Sequence, residues 1–555
     1  MNMKKEEVSR VLGISIEIIN EKSKNNSGDI DFDDFKSLFN LYGSNEPQEL
    51  IEKADVFFDK GNYELAFLFF EKASKLDSVQ GIYGVGFLYF KGLGISQDYS
   101  KAFEYFVKAS ENGHSKSTYI IGYMYQEGIF VPQNYSKAFD YYLKANNQGS
   151  VDATFSVASM YYEGKGVDQD YYKAFKYYLK ANDLGDSDAP YNIALMYYEG
   201  KGIPQDYSKA FEYFCKSSEL GDPDANYYVA TMYYEGIGIP QDYSKAFEYF
   251  CKSSELGNPN ATYFVGQMLS NGMGVNKDVF KAFDYYKNAS EQGVVEAMLK
   301  TGYAYDIGEG VIQDDIKAFE YYKKASELGN VTATYNTGNM YARGRGVETD
   351  FSKALEYYLK ASKQGNLDAV CEIGYMYSKG NGVEQNFTKA LEYYQKADGK
   401  DCPRATYNIA IMYMNGHGVP RNYHMSLEKF KIAATNGYYL GYYQIGRIYE
   451  YGCGLKRNKK KALNYYVYSA KLGIKAAEAK IIEMKSQGVI EDDSIQYVRE
   501  FIDDLIKDEI GDCVSDIVSN AIDKILDEEG SVIGKAIGDA TGSVVSEIIM
   551  SGFKS

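Results

Sequence analysis

Several residue types are scarce in this chain of 555 residues, and each scarcity excludes a class of protein. The chain has no tryptophan, 9 prolines, 6 cysteines and 3 histidines. Cysteines this few, without Cys-x-x-Cys spacing, exclude a disulfide framework and a cysteine-rich zinc site, and they indicate small buried side chains in a reducing compartment. No apolar run reaches the roughly 18 residues that a membrane-spanning helix needs. The amino-terminal segment alternates charged with apolar residues, unlike a signal peptide, so we expect a cytoplasmic protein.

Acidic residues outnumber basic ones. The chain has 77 aspartates and glutamates against 60 lysines and arginines, which leaves a net charge of −17. Such a surface repels nucleic acid and anionic membranes. One dense basic cluster, residues 456–461, precedes the acid-rich segment 491–529. We expect this cluster to be solvated or paired within the chain, and we expect no nucleic-acid partner.

The dipeptide Lys-Ala recurs every 36 residues, and Met425-Ser426 fills the single gap in the series. Eleven units follow one another in one frame from residue 81 to about 476. A fixed period of this length is typical of a stack of supersecondary units. The alanines of the dipeptide are Ala102, Ala138, Ala174, Ala210, Ala246, Ala282, Ala318, Ala354, Ala390 and Ala462.

Each unit has the pattern of a helical hairpin. In the unit that starts at Ala189, the apolar residues Tyr191, Ile193 and Met196 keep to one face of a first helix. A Gly-x-Gly turn follows, and an Asp or Asn then predicts the N-cap of a second helix. One hairpin cannot bury its apolar face alone, so neighbouring hairpins are expected to stack as an α-solenoid. The predicted aspartate N-caps are Asp98, Asp170, Asp206, Asp242, Asp278, Asp314 and Asp350.

The consensus A-x-Y-x-L-G-x-M-Y-x-x-G-x-G-V-x-x-D-x-x-K-A-x-x-Y-Y-x-K-A-x-x-x-G resembles Sel1-like repeats, relatives of the tetratricopeptide repeat, over roughly 400 residues. The family's usual Trp-Tyr pair is replaced by Tyr-Tyr or Tyr-Phe, as at Tyr141-Tyr142 and Tyr213-Phe214. Tyrosine keeps the large flat packing surface. The resemblance implies an all-α fold, a right-handed α-solenoid of stacked helical hairpins with 36-residue repeats.

We expect four segments along the chain. Residues 1–45 form an N-terminal helical segment, residues 46–80 a tetratricopeptide-like first unit, and residues 81–488 the array of eleven units and a half-unit. Residues 489–555 form an acidic helical cap over the end of the array. Glycines recur every four residues in this cap, from Gly530 to Gly542, and their stripe on one helix could serve self-association.

The N-terminal segment contains a loop that resembles an EF-hand calcium site. Its candidate ligands are Asn25, Ser27, Asp29, Asp31 and Asp34. The loop begins with a serine where aspartate is usual and ends with an aspartate where a bidentate glutamate is usual. A loop without calcium is the favoured interpretation and no metal is expected, while a calcium-regulated adaptor is the alternative.

The residues of an enzyme site are not apparent. His114, His417 and His424 do not form a catalytic motif, and no nucleophile elbow, phosphate-binding loop or metalloprotease motif occurs. We expect no catalytic residues and no cofactor. Some secreted Sel1-like proteins have been assigned β-lactamase activity, but these carry paired cysteines in each repeat, so an enzyme of that kind is the weaker alternative here.

The first helix of each unit carries a set of positions that vary freely. We call the third, sixth and ninth residues after the anchoring small residue, such as Ala189, the variable stripe; they lie on one side of the helix. The resemblance implies that this stripe lines a concave groove, where asparagines hold a peptide backbone; the alternative is an unconstrained solvated face. The leading hypothesis is a scaffold or adaptor that binds proteins or extended peptides, in a signalling or protein-degradation complex. The candidate binding residues are Asn192, Tyr198, Lys300, Tyr303, Asn336, Asn339, Asn408, Gln444 and Arg447.

Overall fold

The structure is a computed structural model that describes residues 46–398 and 402–486. This part of the chain contains helices and no strands. In each regular hairpin, the first helix carries the variable stripe and the second helix carries the Lys-Ala dipeptide, which Met425-Ser426 replaces in one repeat. The chain forms two compact units, which divide between Asp278 and Val279.

In the unit that ends at Asp278, first helices and second helices alternate. The first helices are Pro47–Asp59, Val79–Lys91, Ser115–Glu127, Val151–Glu163, Ala189–Glu199, Pro223–Glu235 and Pro259–Asn271. The second helices are Tyr63–Lys75, Tyr99–Glu111, Tyr135–Asn147, Tyr171–Asp183, Tyr207–Glu219 and Tyr243–Glu255.

The unit that begins at Val279 has the same alternation and starts with a second helix. Its first helices are Val295–Ile307, Val331–Arg343, Leu367–Lys379, Pro403–Asn415, Leu440–Tyr451 and Lys475–Ser486. Its second helices are Val279–Glu291, Asp315–Glu327, Phe351–Lys363, Phe387–Ala397, Tyr423–Thr435 and Lys459–Lys471. None of the helices in the described ranges of either unit is long and apolar enough to cross a membrane.

From the helix Val79–Lys91 to the helix Leu440–Tyr451, a Gly-x-Gly turn follows each first helix except Ser115–Glu127 and lies against the preceding repeat. Gly164 ends the helix Val151–Glu163 in the left-handed conformation, with φ 71°, and its N–H donates to the Met160 carbonyl at 2.9 Å. Gly166 also has a positive φ of 73°, and a β-carbon added there would lie 2.2 Å from the Tyr135 carbonyl oxygen. The second glycine is therefore required both by its conformation and by the close approach of another backbone.

The second helices begin with side-chain N-caps. Asp170 accepts a hydrogen bond from the Lys173 backbone N–H at 2.9 Å, which satisfies one of the free amides at the helix start. Asp278 occupies the equivalent position directly before Val279. The aspartates that make the same bond are Asp98, Asp206, Asp242, Asp314 and Asp350.

A small residue of the first helix packs directly against a ring of the second helix. At Gly338, a β-carbon would lie 2.8 Å from the ring of Tyr358. The Tyr358 ring is buried, and its hydroxyl donates to Asn339 Oδ1 at 2.8 Å. The glycine therefore leaves room for a tyrosine whose hydroxyl must reach a partner on the first helix.

The size of this small residue follows the type of the ring. Where the ring is phenylalanine, the small residue is alanine in several units. The glycine–tyrosine pairs are Gly122–Tyr142, Gly302–Tyr322, Gly338–Tyr358, Gly374–Tyr394 and Gly446–Tyr466. The alanine–phenylalanine pairs are Ala194–Phe214, Ala230–Phe250 and Ala410–Phe430. Two units are mixed, Gly86 with Phe106 and Ala158 with Tyr178.

A second aromatic contact joins the two helices of a hairpin. Tyr197 stacks on Tyr213, with ring centroids 6.0 Å apart and an interplanar angle of 21°. The ammonium group of Lys209, from the Lys-Ala dipeptide, lies 5.3 Å from the Tyr197 ring centroid. The dipeptide thus supplies a buried alanine and a cation that covers a tyrosine face. The same stacking recurs at Tyr161–Tyr177, Tyr233–Tyr249, Tyr305–Tyr321, Tyr341–Tyr357 and Tyr377–Tyr393.

The ends of the described ranges differ from the regular repeats. The hairpin Pro47–Lys75 has a loop of only Lys60, Gly61 and Asn62, and its buried Leu50 and Phe69 share a core with Val85 and Leu88 of the next hairpin. At the other end, Ile482 on the helix Lys475–Ser486 is 68% exposed. The predicted calcium loop and the predicted cap at 489–555 lie outside the described residues.

Candidate functional site

Several residues of the variable stripe are accessible on the first helices. On the helix Val295–Ile307, Lys300 is exposed and Tyr303 is 46% exposed, whereas the small residues beside them are buried. Asn336 and Asn408, each the third residue after the anchoring alanine of a later repeat, are half-buried. These four side chains present hydrogen-bonding groups and one aromatic ring on the accessible side of the helices.

Other stripe residues are engaged inside the fold. Gln444 is only 8% exposed, and its amide donates to the Tyr407 hydroxyl of the preceding repeat at 3.0 Å. Arg447 in turn donates to Gln444 Oε1 at 3.3 Å. Asn339 accepts the Tyr358 hydroxyl, as described above. The stripe is therefore not uniformly solvated, because tyrosines of the second helix or of the neighbouring repeat reach some of its amides.

Between residues 187 and 271 the stripe carries four aromatic residues, which are Tyr198, Tyr228, Tyr234 and Phe264. Tyr198 lies 5.3 Å from Tyr207 and 5.7 Å from Tyr228, measured between ring centroids. Burial, together with nearby acidic and tyrosine side chains, raises the pKa of Tyr198. Phe264 stacks on Phe250 of the preceding second helix at 5.0 Å. Asn192 donates to the Asp188 carbonyl of its own helix at 3.0 Å and borders this aromatic surface.

In the unit that begins at Val279 the stripe is mostly polar, and ion pairs hold several of its charges. Arg345 contacts Asp306 at 2.6 Å and also pairs with Asp315. Arg404 pairs with Glu372 and lies 3.3 Å from Asp368. Asp306 and Glu372 are stripe residues, and both arginines come from the following repeat. These carboxylates are therefore fixed in position by the next hairpin.

Two of the histidines have packing roles. The place of His114 in a turn between two repeats predicts a solvated side chain, but the residue is half-buried: Nδ1 accepts the Ser117 N–H at 3.1 Å, and the ring lies 4.5 Å from Tyr83. The prediction was wrong because it ignored the N-cap position before Ser115 and the tyrosine of the preceding repeat. Burial lowers the pKa of His114. His417 stacks on Phe387 at 4.4 Å. Within the described ranges, no group of three or more His, Cys, Asp or Glu side chains could hold a metal.

Two cysteines come together that we did not pair from the sequence. The sulfurs of Cys371 and Cys402 lie 3.8 Å apart, and both residues are buried. Cys215 and Cys251, by contrast, are half-buried thiols whose pKa burial raises to about 11. The pairing could have been found by comparing repeat positions, because Tyr83 and His114 occupy the same two positions earlier in the chain.

The basic cluster at 456–461 makes contacts within the chain. Arg457 donates to the Glu450 carbonyl at 2.7 Å, and the Lys461 ammonium lies 5.8 Å from the Tyr449 ring centroid. Lys456 and Lys460 are exposed. The acidic segment 491–529, expected to pair with this cluster, lies outside the described residues.

Comparison with known proteins identifies the repeat. A protective antigen of uropathogenic Escherichia coli with an SLR fold is 24% identical over 84% of this chain and 98% of its own, with a TM-score of 0.74. A Sel1 repeat protein from Oxalobacter formigenes is 28% identical over 59% of this chain and 93% of its own, with a TM-score of 0.46. No curated protein matches the sequence.

The Sel1 repeat model matches twelve segments that cover most of the chain. The segments are 58–78, 79–114, 115–150, 151–186, 187–222, 223–258, 259–294, 295–330, 331–366, 367–397, 403–438 and 440–474. Their boundaries follow the hairpins of the structure, and their repeated order accounts for the all-α fold. The chain belongs to the Sel1 repeat family, whose solenoids typically serve as scaffolds for protein interaction.

Proposed function

We propose that this protein is a non-enzymatic, cytoplasmic scaffold that binds protein partners or extended peptides on the variable stripe. One observation carries the proposal. The buried positions of the first helices repeat from unit to unit, whereas the stripe changes from partly aromatic, between residues 187 and 271, to mostly polar in the unit that begins at Val279. A surface that varies over a constant core is the arrangement by which repeat proteins present a binding face.

The polar part of the stripe fits a peptide main chain. Asn336 and Asn408 occupy the same position of their repeats, and an amide side chain both donates and accepts hydrogen bonds, as a peptide group does. Lys300 holds this position in an earlier repeat, and Tyr303 offers a ring one turn further along that helix. The aromatic part, with Tyr198 and Tyr228, fits apolar side chains of the same or another partner.

We propose to test the stripe with three substitutions made together, Lys300→Ala, Asn336→Ala and Asn408→Ala. If the stripe binds partners, a pull-down with the triple variant should recover about a tenth or less of the partner protein that the wild type recovers. Each lost side chain should reduce the binding free energy by about 1 kcal/mol. The melting temperature should stay close to that of the wild type, since the substituted side chains are exposed or half-buried.

A matched control removes the same chemistry from the second helices. Lys324→Ala, Gln364→Ala and Gln395→Ala also delete one ammonium and two amides, and all three residues are exposed. This control should leave recovery unchanged. Equal loss from both triple variants would show that partners do not depend on the stripe.

A photo-crosslinking residue gives a second readout. Placed at Tyr303, it should capture the partner, whereas at Phe280, which is 70% exposed on a second helix, it should not. Capture from position 280 but not from position 303 would show that partners bind the second helices instead of the stripe. The identity of the captured proteins decides whether the scaffold serves a signalling or a degradation complex.

A further inference from the structure

Cys371 and Cys402 occupy two repeat positions that also contact each other at two other junctions of the chain. Cys371 is the second residue after the anchoring Ala369, and Cys402 is the N-cap residue of the next first helix. In other repeats the same two positions hold Tyr83 with His114, and Tyr407 with Tyr438, whose ring centroids lie 4.5 and 4.9 Å apart. The contact is thus a property of the fold, and at this one junction both sides are cysteine.

The surroundings of the pair exclude bulk solvent and keep the sulfurs together. Cys371 is 1% and Cys402 is 6% exposed, and they share a core with Leu391, Tyr394 and Ile409. The sulfurs are 3.8 Å apart, so closing them to a covalent bond of about 2.05 Å needs a shift of less than about 2 Å.

The charges near the pair favour one reactive thiol. Contact with the Cys371 thiol lowers the pKa of Cys402, and the same contact together with burial raises that of Cys371. The positive charge of Arg404 also favours a thiolate at both sulfurs. Cys402 also lies at the N-cap of the helix Pro403–Asn415, where the helix dipole favours a thiolate, so Cys402 is the nucleophile of the pair and Cys371 the thiol that resolves its oxidised form.

We propose that Cys371 and Cys402 form a reversible disulfide between two consecutive repeats when the protein meets a hydroperoxide. A small oxidant is required because the pair is buried. The Cys402 thiolate attacks one peroxide oxygen, the O–O bond breaks, and Cys402 becomes a sulfenic acid as hydroxide leaves. Cys371 then attacks the Cys402 sulfur, the S–O bond breaks, and the disulfide forms. The two thiols lose two electrons and two protons, and one hydrogen peroxide becomes two waters.

The bond would lock one inter-repeat junction. It would join the helix Leu367–Lys379 to the start of the helix Pro403–Asn415, across the intervening second helix Phe387–Ala397. Repeat arrays open locally at their junctions, and a covalent link there restricts the open states. The linked residues adjoin Glu372 and Arg404, so oxidation would also fix the ion pair on this part of the stripe.

Peptide mapping of the full-length protein tests the proposal. Reduced protein is freed of reductant, exposed to hydrogen peroxide, alkylated and digested without reduction. We expect one linked peptide pair containing residues 371 and 402, lighter than the two free peptides by two hydrogens, and its disappearance after dithiothreitol. Hydrogen exchange of the helix Leu367–Lys379 should slow by about tenfold in the oxidised protein.

Single substitutions locate the chemistry. Cys402→Ser should abolish the linked pair, whereas Cys215→Ser and Cys251→Ser should retain it, because burial leaves those thiols protonated. Recovery of residues 371 and 402 as separately alkylated cysteines in peroxide-treated wild type would overturn the proposal. Linkage of either cysteine to a different residue would overturn it as well, and both results come from the unmodified chain.

Discussion

Single residues carry the tightest constraints where two backbones meet. Gly166 and Gly185 both have a positive φ, 73° and 89°, but only Gly166 faces another backbone, whereas nothing lies within 4 Å of a β-carbon at Gly185. Alanine substitutions at these two glycines therefore separate the free-energy cost of a left-handed backbone from the cost of a steric contact.

We expect Gly185→Ala to destabilise the protein by about 1–2 kcal/mol, the usual cost of a left-handed alanine. Gly166→Ala should cost about 1–3 kcal/mol more, because its methyl group must displace the Tyr135 carbonyl. Urea unfolding followed by circular dichroism measures both, and hydrogen exchange of the helix Tyr135–Asn147 localises the effect. Equal losses of stability in the two variants would mean that the start of the helix Tyr135–Asn147 can move away from the added methyl group without a cost in free energy.

Residue roles were predictable from the sequence when they depend on neighbours in the chain. The aspartate or asparagine before a second helix, such as Asp242, caps an amide three residues later, and spacing alone indicates that bond. The engagement of Gln444 by Tyr407 and the contact of Cys371 with Cys402 join residues of different repeats. Such contacts depend on how far one hairpin is offset from the next, which periodicity does not specify.

At the scale of helices, the pairing of a small residue with a ring decides how closely a hairpin closes. Gly338→Ala should destabilise the protein by about 1–3 kcal/mol, because the methyl group meets the Tyr358 ring. Tyr358→Phe alone should cost about 1 kcal/mol through the lost bond to Asn339. The double variant should lose less stability than the sum of the two single losses, by at least about 0.5 kcal/mol. The reason is that a phenylalanine ring no longer has to reach Asn339.

The matched control is Gly86→Ala, where the ring is Phe106 and the nearest contact is 3.0 Å. It should cost less than Gly338→Ala. Strict additivity in the Gly338 and Tyr358 cycle, measured by chemical denaturation, would show that ring type and small residue vary independently.

Helix boundaries illustrate what repetition can and cannot predict. The second helices end in register in most repeats, but Phe387–Ala397 ends early. Asp398 leaves the helix with an extended backbone, accepts the Thr406 hydroxyl at 2.7 Å and pairs with Lys429 at 2.7 Å. Both partners lie in later helices, so the early end is a tertiary effect that a propensity argument does not reveal.

For the molecule as a whole, buried tyrosines set the response to alkaline pH. Burial raises the pKa of Tyr178 to about 12, and burial is also the main cause of the raised pKa of Tyr142, Tyr358 and Tyr394. In the unfolded chain these groups lose their protons near pH 10. Above that pH the folded protein binds more protons than the unfolded one, so the free energy of unfolding falls as the pH rises.

We therefore expect a cooperative loss of helix above about pH 10, and no stability change from these tyrosines below it. Tyrosinate absorbance of the buried rings should appear together with the loss of helical circular dichroism, rather than before it. Complete tyrosinate formation with the helical signal retained would contradict this account. Tyr358→Phe should make the free energy of unfolding fall less steeply with pH above about pH 10, because it removes one proton released on unfolding.

The glycine–tyrosine and alanine–phenylalanine pairs also bear on how such an array can be recombined. Both members of a pair belong to one hairpin, as Gly374 and Tyr394 do, or Ala410 and Phe430. A crossover at the junction between hairpins transfers each pair intact. A crossover within the Gly-x-Gly turn can place an alanine opposite a tyrosine that packs against glycine in its own hairpin. The exchangeable module of this protein is therefore the whole hairpin, and chimaeras joined between hairpins should fold better than chimaeras joined inside them.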